Sequence, residues 1–229
     1  MELGGNAPVL VFDDADLDEA VEAAMLAKMR NGGQACTAAN RIYVQQGIHD
    51  AFVERLAERM SALMVGPPRE PKTDCGPVAD EPSLNKIQDM VADALDRGAN
   101  LVTGGTRPRG VGYFYTPTVL DQVSAQARIA REEVFGPIAA IFPFTDEAEA
   151  IEAANDTDVG LAAYVMTGDL ARGLRISEQL EVGMVGINRG LVSEPAAPFG
   201  GVKASGLGRE GGHHGMREFC EAKYVAVSW

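Results

Sequence analysis

The chain has 229 residues, 46% of them hydrophobic and 23% charged, with a formal net charge of −13. That composition is globular, with enough length to bury a sizeable core. The acidic balance argues against a nucleic-acid surface, and no apolar run approaches the roughly 18 residues of a spanning helix. The start of the chain has no basic region followed by an apolar stretch, so no signal peptide is expected. Three widely spaced cysteines (Cys36, Cys75 and Cys220) fit a reducing compartment better than a disulfide framework. A soluble, cytoplasmic protein is the expectation, with no membrane or nucleic-acid partner and no metal site.

Asp16 reads as an N-cap, and Leu17, Val21, Met25 and Met29 recur every four residues as one face of a helix that Gly32 and Gly33 end. Arg41 to Gln46 is a short β-type run. Asp50 is placed to cap a second helix with Val53, Leu56, Met60 and Leu63 inward. Gly66 to Pro77 is too rich in proline and glycine for regular structure. A third helix is expected from about Ser83, with Gly98 as its stop. Strands follow at "ANLVTGG", near Thr118 to Leu120, and in the apolar part of "EEVFGPIAAIFPF". Glu147 to Ala154 reads as helix, "LAAYVMT" as strand, Asp169 to Leu180 as helix and "VGMVGIN" as strand. Strands alternating with helices predict an α/β fold with a mostly parallel sheet covered by helices. After a glycine-rich loop (206 to 215), "EAKYVAVSW" alternates as a separate terminal strand.

Three motifs carry potential chemistry, and each has a bland alternative. Glu2, before two glycines, reads as a solvated turn residue unless something recruits it. Cys36, in "RNGGQACTAANR", reads by itself as a small buried hydrophobe. The adjoining Gly32 and Gly33, however, allow backbone N–H groups to turn toward the sulfur, which predicts a lowered thiol pKa and a usable nucleophile. "EEVFGP" reads as a charged helix end leading into a strand.

Taken together, "ELGG", "GQACTAANR", "EEVFGP", "ANDTDVGLAAYV" and "PFGGVKASGLGRE", in that order, resemble the aldehyde dehydrogenase family over essentially the whole chain. The separations also agree: 34 residues from Glu2 to Cys36, and 97 from Cys36 to Glu133. The resemblance implies that Cys36 is the nucleophile and Glu2 the general base for the hydrolytic water. It implies that Glu133 holds the nicotinamide ribose, that Phe135 supports the nicotinamide end, and that Phe199 lines the substrate tunnel. The implied cofactor is NAD or NADP. Asn6, Arg30 and Ser193 resemble the succinate-semialdehyde dehydrogenase branch, in which the arginine and serine positions help bind the distal carboxylate. Arg30 alternatively reads as a surface residue completing a helix end, and Ser193 as a turn residue. Ala38 stands where some members of that branch carry a second cysteine, so no disulfide switch is expected at the site.

The resemblance further implies a catalytic domain over residues 1–212 and an oligomerisation tail over 213–229. The dinucleotide-binding domain that precedes them in the family is not in this chain. Alone, the chain is expected to be inactive in aldehyde oxidation. The competing readings are a non-catalytic fragment that assembles as a homo-oligomer through a strand within Glu221 to Val227, and an aldehyde dehydrogenase for another small acidic or neutral aldehyde.

Overall fold

Ala7–Val11 forms the first strand, β1, with all five residues buried, in a computed structural model that describes residues 1–229. The chain continues through α1 (Leu17–Met29), β2 (Ala39–Gln45), α2 (His49–Ser61), α3 (Glu81–Asp96), β3 (Asn100–Thr103) and β4 (Thr118–Asp121). It then passes through α4 (Arg128–Arg131), β5 (Ile138–Phe144), α5 (Glu147–Asn155), β6 (Val159–Gly160) and β7 (Ala162–Met166). The last elements are α6 (Leu170–Gln179), β8 (Met184–Ile187), β9 (Val202–Lys203) and α7 (Gly212–Arg217).

Seven strands form one sheet in the order β3-β4-β5-β2-β1-β7-β8, parallel throughout except for the antiparallel edge pair β3–β4. β6 and β9 make a separate antiparallel ribbon. Successive side chains of β1 point to opposite faces, as the two-residue period of a strand requires. Ala7, Val9 and Val11 join a core with α1 and α2, which includes Ala20, Phe52 and Leu56. Leu10 and Phe12 join a second core with α3 to α6, which includes Ile87, Ile129 and Ile176. Helices thus cover both faces, the arrangement that parallel sheets require. No helix is long and apolar enough to cross a membrane.

Four expectations are corrected. Asp50 does not cap α2; Ile48 precedes the helix, and the Asp50 carboxylate bonds the His49 ring at 2.9 Å instead. The cap of α3 is Asp80, which accepts from Ser83 N at 2.8 Å, and Pro82 follows in the first turn, where a missing N–H costs nothing. The glycine-rich loop contains α7. The run Glu221–Val227 forms no strand in the single chain and is exposed, because an alternating sequence cannot ladder without a second strand beside it.

Candidate active site

The Cys36 loop joins the end of α1 to the start of β2. Arg30–Gly33 makes a tight turn in which Asn31, Gly32 and Gly33 take φ values of 54°, 62° and 77°. Gly33 is obligatory there, since a β-carbon would collide with the carbonyl oxygen of Gly136. A hydrogen bond from Ala38 N to Ala35 O (2.9 Å) then closes a turn with Cys36 and Thr37 at its corner. The Tyr164 hydroxyl donates to Thr37 O at 2.8 Å, and Arg30 Nη2 donates to Thr37 Oγ1 at 3.0 Å, so the turn is held from beneath and from the side.

Cys36 is half-buried and packs against the same core as Phe199. Burial pushes its thiol up, and the Glu133 and Glu2 carboxylates push it further. The main-chain amides of Cys36 and Thr37 pull it down, but only in part. The net shift is opposite to the lowered pKa that the glycines suggested. Burial is the largest cause of that reversal, and the two carboxylates that add to it reach the sulfur from distant parts of the chain.

Glu133 follows α4 and is also half-buried. Its Oε1 accepts from Gly5 N at 3.2 Å, and its main-chain oxygen accepts from Lys86 Nζ at 2.6 Å. Its Oε2 lies over Gly4, where a β-carbon would stand 2.6 Å away. Gly5 in turn lies against the Cys36 carbonyl, 2.5 Å from a β-carbon built on it. The two glycines therefore bring the Glu2 segment between Cys36 and Glu133. Burial raises the Glu133 carboxyl, while the Gly5 amide, Lys86 and Lys28 hold it down. Phe135 takes φ 54° and is 38% exposed, an uncommon conformation for a bulky side chain that the packing of Gly136 against Ile87 supports.

Glu2 sits where the start of the chain pairs with the 205–207 segment: Leu3 N donates to Ser205 O at 2.9 Å and Leu207 N to Met1 O at 3.1 Å. Although largely exposed, its carboxyl is raised, first by what burial it has and then by Glu210. Phe199 and Glu210 exchange two main-chain hydrogen bonds at 2.7 and 2.8 Å. Ser193, Glu194, Phe199 and Glu210 border a cavity of about 470 Å³. A second cavity of about 600 Å³ is bordered by Glu2, Arg209, Glu210 and Phe219. The two meet at Glu210 and Gly211.

Glu133 and Glu2 thus both act on Cys36, and Phe199 packs against the core that Cys36 also packs against. Ser193 shares the cavity of Phe199 but makes no hydrogen bond to Arg30, which is exposed beside the Cys36 turn. Cys36 borders neither cavity. Glu210, Lys86 and Lys28 belong to the site and were not singled out from the sequence. Lys28 had a visible signal: it stands seven residues after Val21 and four after Ala24, on the apolar face of α1.

For a nicotinamide cofactor the residues present are suitable at one end. Glu133 Oε2 accepts no hydrogen bond from the chain and can take ribose hydroxyls, and Phe135 offers an exposed aromatic face three residues before β5. The sequence profile of the aldehyde dehydrogenase family matches residues 1–225. The chain belongs to the aldehyde dehydrogenase family. It is 50% identical over 227 residues to the NADP(+) succinate-semialdehyde dehydrogenase GabD of Escherichia coli K12, covering 99% of this chain and 47% of that protein. A 3-sulfolactaldehyde dehydrogenase of Pseudomonas putida is 52% identical, with the same coverage of both chains. The crystal structure of an E. coli NADP-dependent enzyme superposes with a TM-score of 0.97 at 50% identity, over 100% of this chain and 47% of the other. The chain spans about half the length of the curated relatives it matches.

Proposed function

We propose that this chain supplies the nucleophile and base for NAD(P)-dependent oxidation of a short aldehyde with an acidic far end, succinate semialdehyde first among them, to the carboxylic acid. The observation that carries this reading is the meeting of Cys36, Glu133 and the Glu2 segment at Gly4 and Gly5. The relatives' names support the substrate class: succinate semialdehyde, glutarate semialdehyde and sulfolactaldehyde all end in an anionic group.

In this reading the Cys36 thiolate adds to the carbonyl carbon, and the oxygen gains charge beside the Cys36 and Thr37 amides. Because the thiol is raised, it is protonated at neutral pH and needs a proton acceptor. Glu2, whose carboxyl is itself raised, is suited to hold that proton. Nicotinamide held there would supply the acceptor for the hydride that leaves the tetrahedral carbon. Cys36 would be left as a thioester; Glu2, once it has passed the thiol proton to solvent, would deprotonate the water that cleaves it, and the Cys36 thiolate would leave as the acid forms. Glu133 and Phe135 would hold the ribose and nicotinamide end. Arg30 supplies the positive charge for the distal anion; Ser193 adds a hydroxyl, although Glu194 and Glu210 flank its cavity.

The chain alone lacks the cofactor's main binding region in this reading, so it turns over no aldehyde. Joined to the complementary half of the E. coli relative, it forms reduced cofactor with succinate semialdehyde, and Cys36→Ala abolishes that. A chimera that folds and binds cofactor but oxidises no anionic aldehyde overturns the assignment.

The exposed side chains of Tyr224, Val225, Val227 and Trp229 favour a companion role, homo-oligomerisation through the terminal run. Light scattering of the chain with and without residues 218–229 tests it, and an unchanged mass overturns it.

A further inference from the structure

Lys28 is wholly buried in the last turn of α1, among alanines, where an apolar side chain would pack without cost. Its Nζ donates to Ala39 O at 2.7 Å and reaches Asn40 Oδ1 at 3.5 Å. Ala39 is the first residue of β2, so this one side chain bridges the two ends of the loop that bears Cys36. Its Cε lies beneath Gly33, 3.1 Å from a β-carbon built there. The contacts continue inward: Asn40 Nδ2 donates to Asn6 Oδ1 at 3.2 Å, and Asn6 Nδ2 donates to Ala130 O at 3.1 Å. Asn40 and Asn6 are both buried.

The three segments joined in this way are Glu2 to Asn6, Met29 to Asn40, and Ala130 to Glu133. Each bears one of the three groups that meet at the site. We propose that Lys28, Asn40 and Asn6 form a buried polar clamp that positions the Cys36 turn relative to the Glu2 and Glu133 segments. None of the three touches a reacting atom in the proposed chemistry; they are positioning residues. The proposal rests on Cys36 being the nucleophile. A buried donor chain suits this task because each bond has a direction, whereas apolar packing allows small slides of the loop. Glu133 is the charged group that acts on Lys28, and its carboxylate favours the ammonium form. The clamp therefore also ties the nucleophile loop electrostatically to the ribose-binding carboxylate.

The test is the pH profile of iodoacetamide alkylation at Cys36 in the purified chain, read peptide by peptide. Cys220, which is exposed, is the internal reference, and protection of buried Cys75 reports folding. In Lys28→Met the amides of Cys36 and Thr37 lose their registration with the sulfur. The alkylation midpoint rises, and at pH 7.5 the Cys36 rate falls about fivefold to tenfold, while Cys220 is unchanged. Asn40→Leu, which cuts the chain further in, gives about a twofold to threefold fall. If Lys28→Met leaves Cys75 unprotected, Asn40→Leu decides by the same criterion. A Cys36 midpoint that stays or falls in the folded variant overturns the clamp. Separately, mass spectrometry after treatment with p-nitrophenyl acetate reports whether wild-type Cys36 accepts an acyl group. Acylation of Cys220 alone overturns the nucleophile reading and the clamp's role with it. Acylation of Cys36 with an unaltered Lys28→Met profile overturns the clamp alone.

Discussion

Gly33 lies against the carbonyl of Gly136 so closely that a single added methyl would overlap the oxygen. The contact locks the Cys36 turn to the Glu133–Phe135 segment. Gly33→Ala must then both leave a left-handed conformation and push two backbones apart, at a cost of more than about 2 kcal/mol. Gly98 is an internal control: it has φ 94° with nothing within 4 Å of a β-carbon, so Gly98→Ala costs about 1 kcal/mol. Urea unfolding of the two variants checks the difference, and equal losses would refute the locking contact.

Glu133 raises the Cys36 thiol, so neutralising it has a definite sign. Glu133→Gln removes a negative charge near the sulfur and favours the thiolate. Alkylation of Cys36 at pH 7.5 is expected to rise about threefold. Glu2→Gln acts in the same direction but less, following the order in which the two carboxylates act on the thiol. A slower Cys36 in Glu133→Gln would contradict the electrostatic account.

Lys28 is lowered by burial to about 7. Between pH 7 and about 10.5 the unfolded chain holds a proton on this amine that the folded chain has given up. Over that window the group makes stability rise with pH, by up to about 1.4 kcal/mol per unit. Below pH 7 both states hold the proton and the slope vanishes, leaving the full cost of the buried charge. Lys28→Met is therefore least harmful near pH 7 and becomes steadily more harmful, relative to wild type, toward pH 10. Parallel denaturant titrations across that range measure the divergence; parallel curves would show that the amine keeps its ordinary pKa.

Arg41 is 1% exposed and spreads its guanidinium over the carbonyls of Asn6, Ala153 and Ala154, with the Tyr43 hydroxyl as a fourth neighbour at 3.4 Å. Replacement by methionine keeps the bulk and orphans those oxygens. A loss of about 3–5 kcal/mol is expected on chemical denaturation. A loss below about 1 kcal/mol would mean that water or a shifted side chain replaces the donors.

Much of the fold was legible because its signals are local. Asp16 caps α1 as its spacing implied, accepting from Glu19 N at 2.9 Å; Val53, Leu56 and Met60 of α2 face the core, whereas on α3 Leu84, Ile87 and Val91 do so and Leu95, expected inward with them, is exposed. β1 went unrecognised because "APVLV" is buried on both faces and so has no alternation to reveal it. Asp50 matched a capping pattern, but the His49 ring competed for its carboxylate. At the site, Cys36, Glu2 and Glu133 were found by motif. The electrostatic sign at Cys36 was not, because it depends on groups brought together only by folding. Glu210 closes the "PFGGVKASGLGRE" motif, but nothing in that pattern marked it off from its neighbours.

The pairing of Leu3 with Ser205 and of Met1 with Leu207 has a temporal consequence. On the ribosome the glutamate segment is made roughly two hundred residues before the partners that hold it, an interval on the order of ten seconds or more at ordinary elongation rates. Until then the thiol loop has one of its two neighbouring acids unanchored. The acid nearest the start of the chain therefore gains its anchor only long after Cys36 and Glu133 have been made, once the 205–207 segment has left the ribosome.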